Sequence, residues 1–166
     1  MKALKGLTAG LLVVFFASLA AAQSTTVRIT GSTAFRKAAV TAIQNILSPG
    51  YTYGYSGTSV TGASQAVFVG TTKSGNFPVV IKCSWAGSTG GVQTLAQQNP
   101  VITRSDWLSE TANTLTTTGT ANLSTGFDAA VTADVAMSDS FQASSIAYGA
   151  GYTNLVDNVV GVVPFV

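Results

Sequence analysis

Thr26-Val27-Arg28-Ile29-Thr30-Gly31-Ser32-Thr33-Ala34-Phe35 is the stretch on which the reading of this chain turns. Its first five residues alternate and are rich in β-branched side chains, which is the pattern of a strand. Gly31-Ser32-Thr33 interrupts that pattern. From about Ala34 onward Phe35, Ala39, Ile43 and Ile46 or Leu47 recur at helical spacing, until Ser48-Pro49-Gly50 stops the helix. Ser32 or Thr33 stands where an N-cap is expected. The result is a strand, a small-residue loop and a helix in sequence.

The same order returns downstream. Val79-Val80-Ile81-Lys82-Cys83-Ser84-Trp85 predicts a second strand, Ala86 to Gly91 a small-residue loop, and Val92 to Gln97 a helix. Ala133-Asp134-Val135-Ala136-Met137 predicts a third, short strand that ends at Ser138-Asp139-Ser140. Repetition of strand, loop and helix predicts an α/β domain with a largely parallel sheet. Between these units, residues 51–76 are rich in Gly, Ser, Thr and Tyr and predict an irregular excursion with one or two short strands. Residues 99–133 are Thr- and Asn-rich, with a surface hairpin or loop expected over Thr114 to Thr120. Val159 to Val166 reads as an apolar strand broken by Gly161 and Pro164, and its abrupt stop predicts an incomplete first lobe.

The N-terminus carries an address. Lys2 and Lys5 precede a short apolar run over Leu11 to Leu19, and Ala20-Ala21-Ala22 has the small-residue pattern of a cleavage site before Gln23. This is the three-part layout of a secretory signal peptide over 1–22. A retained membrane anchor is the other reading, but the run is shorter than the roughly 20 residues that span a bilayer. The chain is therefore expected in the periplasm or outside the cell, without a stable membrane anchor, as one domain over 23–166.

Composition removes several kinds of function. Of eight Lys and Arg, two leave with the leader, so six remain against six Asp and Glu. A neutral chain without a basic stripe is not expected to bind nucleic acid. There is no histidine, which removes Ser-His-Asp and Cys-His catalysis together with the commonest zinc ligand. Cys83 is the single cysteine and lies in an apolar run, so it reads as a buried thiol. No enzyme, no metal and no cofactor are expected.

The three loops are where chemistry is expected. A loop that leaves a strand and enters a helix presents backbone N–H groups at the positive end of the helix dipole, which favours anions. Glycine lets the backbone come close, and Ser or Thr hydroxyls add donors. An ordinary turn with a helix cap is the alternative for each loop taken singly. Together, Gly31-Ser32-Thr33-Ala34-Phe35, Gly87-Ser88-Thr89-Gly90-Gly91-Val92 and Asp134-Val135-Ala136-Met137-Ser138-Asp139 resemble, in order, the three N-terminal ligand loops of the phosphate-binding proteins of ABC transporters. Val159-Val160-Gly161-Val162-Val163-Pro164 resembles the crossover strand that follows them.

That resemblance implies a periplasmic-binding-protein-like lobe of type II, decorated by the Thr- and Gly-rich inserts. It implies that the Phe35 N–H, with an N–H or hydroxyl from Thr33 or Ala34, donates to an anion. Ser88 would donate through its hydroxyl and N–H, and Asp139 would accept from a protonated phosphate oxygen. A helix cap is the other role weighed for Ser88 and for Asp139. Ala34 stands where the family has threonine, and the family's later arginine and Ser-Gly-Thr loop lie beyond Val166. The function implied is capture of phosphate or a related oxyanion and its delivery to a transporter permease. A secreted surface or adhesive module, suited by the low charge and the polar inserts, is the competing expectation.

Overall fold

The computed structural model describes residues 23–97, 106–111, 115–124, 126–128, 131–149 and 151–159. The leader and residues 160–166 lie outside them, and with them most of the expected terminal strand.

Among the described residues the expected units form, with shifted bounds. Strand β1 is Thr25–Gly31 and helix α1 is Arg36–Ile46. Strands β2 (Thr52–Tyr55) and β3 (Gln65–Thr71) arise from the Gly- and Tyr-rich excursion. Strand β4 is Pro78–Ser84 and helix α2 is Ser88–Ala96, which starts at the expected loop itself rather than after it. Two short strands, β5 (Trp107–Leu108) and β6 (Phe127–Asp128), form a separate ribbon. Strand β7 is Val135–Met137, and one 3₁₀ turn follows at Gln142–Ser144.

The sheet corrects the expectation of a largely parallel, periplasmic-binding-protein-like lobe. Its five strands run in the order β2-β3-β4-β1-β7. β1 lies parallel to β4 and to β7, while β3 is antiparallel to both β4 and β2. With the β5–β6 ribbon, three of the five strand pairings are antiparallel. The protein is a small mixed α/β fold with two helices among the described residues. The physical reason lies between Thr71 and Pro78. A parallel return needs a crossover of a dozen or more residues, and residues 72–77 are too few. They make a tight turn instead, with Gly75 at φ 81° and Asn76 at φ 51°, both in the left-handed region.

Alternation assigns the two faces of the sheet. Ile81 and Cys83 of β4 and Ala66 and Phe68 of β3 face Val40 and Ile43 of α1 together with Leu47 and Trp85, in one buried cluster. Burying side chains of this size contributes about 1.5–3 kcal/mol each relative to exposure. On the opposite face Val67 and Val80 meet Leu108 of the ribbon. Lys82 lies on this second face, 1 % exposed, and ion-pairs with Glu110 and Asp128. Its register neighbour Arg28 comes within 3.8 Å of Asp128. The ribbon is thus fastened by apolar contact and by a buried cation together.

The expected loop over Thr114 to Thr120 is not a free surface hairpin in its described part. Thr116 and Thr120 bridge to Tyr53 and Gly54 and cover the outer edge of β2. The Tyr53 hydroxyl donates to the Thr118 carbonyl at 2.9 Å.

Candidate functional site

Parallel strands bring their carboxyl ends to one edge, and β4, β1 and β7 do so side by side. From β1 to β4 the chain moves one way along the sheet; from β4 to β7 it returns past β1. A reversal of this kind is where the strand ends of an α/β sheet open a crevice. The backbone sews the three loops together there. The Ser32 N–H donates to the Met137 carbonyl at 2.7 Å, and the Gly87 N–H to the Gly31 carbonyl at 2.9 Å.

Two glycines make this close approach possible. Gly31 has φ 121°, and a Cβ there would fall 1.9 Å from the Met137 carbonyl oxygen. Gly91 of α2 rests directly on β1, since a Cβ on it would lie 2.4 Å from the Gly31 Cα. No side chain larger than hydrogen fits at either contact.

Asp139 stands at the centre. Its Oδ1 accepts a hydrogen bond from the Ser88 hydroxyl, and its Oδ2 accepts from the Ser32 hydroxyl at 3.4 Å. One residue from each of the three loops therefore meets on a single carboxylate. The cap roles weighed for Ser88 and Asp139 are not what forms. The residue before α2 is Gly87, at φ 84°, with no side-chain cap bond. The residue before the 3₁₀ turn is Phe141, also without one.

The other expected donors are placed differently. The Phe35 N–H turns back onto the Ser32 carbonyl at 3.2 Å, and the Thr33 carbonyl accepts from the Arg36 N–H at 3.3 Å. The Ala34 N–H donates to the Ser32 hydroxyl at 3.3 Å. Thr33 and Ala34 are exposed, and neither they nor Phe35 bonds to Asp139 among the hydrogen bonds found. Ser32, considered from sequence only as a cap, is the first loop's contribution to the carboxylate. Its place in the short loop between β1 and α1 was the available signal, since a hydroxyl there can face either the helix or the crevice. Arg36, the nearest cation in sequence, directs its Nη1 to the Ala63 carbonyl at 3.3 Å.

No family model, curated protein or solved structure matches the chain. Function must therefore be argued from the crevice itself. Among the described residues there is no group of three or more His, Cys, Asp or Glu placed to hold a metal ion. No helix among them is long and apolar enough to cross a membrane.

Chemically, the crevice offers two hydroxyls and one carboxylate at the start of α2. A hydroxyl can rotate its proton from one acceptor to another. Ser32 and Ser88 can thus give their hydrogen bonds to Asp139 or to an incoming oxygen. When they turn away, the carboxylate has lone pairs free for a donor. The arrangement suits a guest that carries both acceptors and a proton.

Proposed function

We propose that this protein is an exported solute-binding module that holds protonated phosphate, or a related oxyanion, at the Ser32–Ser88–Asp139 crevice and delivers it to a membrane transporter. The observation that carries this reading is the meeting of Ser32 and Ser88 on Asp139 from three loops at one sheet edge. On binding, the two hydroxyls turn to phosphate oxygens, helped by the positive end of α2. Asp139, released from them, accepts from the P–OH group. Sulfate carries no proton at neutral pH, so it cannot replace the hydrogen bonds that Asp139 gives up, and the carboxylate repels it.

One observation favours a second reading, a secreted surface module without a ligand. Asp139 already takes both serine hydroxyls, so the donor set can be complete in itself. Calorimetry with phosphate and sulfate separates the two. Ser88→Ala removes a donor to a charged oxygen and is expected to weaken phosphate by about 1.5–3 kcal/mol. Asp139→Asn supplies an NH₂ donor where an acceptor stood, and is expected to narrow the gap between phosphate and sulfate. Phosphate affinity unchanged in both variants, or absent from the parent protein, would favour the surface module.

A further inference from the structure

Beside Asp139 runs a groove of about 570 Å³, within the size range of small-molecule sites. Its walls are mainly apolar: Val92 and Leu95 of α2, Met137 of β7, then Phe141, Leu155 and Val156. Its charged lining is of one sign. Asp134, Asp139 and Asp157 all border it, and no Lys or Arg does among the described residues. Arg28 gives Asp134 only its backbone N–H, at 2.7 Å, while its guanidinium lies toward Asp128.

The far wall is held in place by a buried polar residue. Gln142 is 6 % exposed, and its Nε2 donates to the Ala147 carbonyl at 2.9 Å and the Thr153 carbonyl at 2.8 Å. Its Oε1 accepts from the Leu155 N–H at 2.8 Å. The apolar wall that begins at Leu155 is therefore tied to the turn that carries Phe141. Phe141 itself is 61 % exposed at the rim, a position from which an aromatic face can meet a cation.

We propose that this groove binds a small organic cation, an amine or quaternary ammonium with an aliphatic or aromatic body. The apolar walls remove the body from water, and the three carboxylates with the Phe141 ring favour the charged end. Carboxylate-bearing guests of the same shape, which have no proton to give at neutral pH, meet a lining of like charge and are repelled. The groove shares Asp139 with the serine crevice, but the inference does not rest on the oxyanion reading, because its test turns on Asp157 and Phe141, which lie outside that crevice.

The test is a calorimetric series on the secreted chain at low ionic strength, with hexylammonium, hexanol and hexanoate as matched probes. The expected order is hexylammonium tightest and hexanoate weakest. Asp157→Asn is expected to weaken hexylammonium about two- to fivefold, the scale of one exposed charge interaction, and to leave hexanol unchanged. Phe141→Ala should weaken hexylammonium and hexanol, with the larger loss for the cation. Phosphate titrated into Asp157→Asn should behave as in the parent, so that failure of the groove and failure of the oxyanion crevice read out separately. Hexanoate binding as tightly as hexylammonium, no binding by any probe, or an Asp157→Asn protein that binds hexylammonium as before would each overturn the proposal.

Discussion

Lys82 is the residue whose surroundings make the firmest demand. It sits on an apolar sheet face with 1 % exposure, and only Glu110 and Asp128 make its charge tolerable there. The hydrogen bond from Lys82 holds the Glu110 carboxyl below its ordinary value. A carboxylate depressed in the folded state contributes stability above its unfolded value, near 4.5, and loses it as pH falls through the folded value. Lys82→Met keeps the volume and removes the charge. At neutral pH it is expected to cost about 1–3 kcal/mol, less than for wholly buried partners because both carboxylates retain solvent contact. The gap in melting temperature between parent and variant should then shrink as pH is lowered below about 4.5, an expectation from the same linkage. A gap that stays constant from pH 7 to pH 3 would mean that Lys82 acts by packing alone. None of this was legible from the sequence, where Lys82 was one letter in a strand pattern and its partners stood in a Thr- and Asn-rich stretch.

The elements were legible where a period governs them, and illegible where contact does. β1 and α1 follow from alternation and helical spacing, and β4 from a run rich in Val and Ile that is buried on both faces of the sheet. Thr52–Tyr55 and Gln65–Thr71 were foreseen only as short strands, and their antiparallel direction was not read. The signal was present in Gly75-Asn76, whose left-handed backbone closes the turn between β3 and β4. The start of α2 at Ser88 rather than Val92 was missed because Gly90 and Gly91 argue against a helix by propensity. Packing overrides that preference: the helix crosses β1 so closely that only a hydrogen fits between Gly91 and Gly31. Two glycines with positive φ separate backbone freedom from close approach. At Gly50 a Cβ would meet nothing within 4 Å, whereas at Gly31 it would strike the Met137 carbonyl. Gly50→Ala should cost about 1 kcal/mol of backbone strain, and Gly31→Ala about 2–5 kcal/mol of strain and collision combined. Thermal unfolding of the two variants measures the difference directly, and equal losses would contradict the contact between β1 and β7.

At the scale of the whole molecule, a histidine-free chain of low charge folds into a mixed sheet whose parallel half ends in one crevice. The three loop segments could be picked out in the sequence because small residues follow each strand. Their assembly on Asp139 could not, since it depends on β1 lying between β4 and β7 in space while coming first in the chain. The described parts of the later insert cover the sheet: residues 115–124 close the edge of β2, and the β5–β6 ribbon covers the second face. The measurement that bears most directly on the central claim is a ¹H–¹⁵N NMR titration of the chain with phosphate, repeated with sulfate. The account predicts saturable shifts centred on the amides of Ser32, Phe35, Ser88 and Asp139 with phosphate, and much smaller ones with sulfate. Amides of the crevice that stay unmoved by phosphate, or that sulfate moves equally, would contradict it.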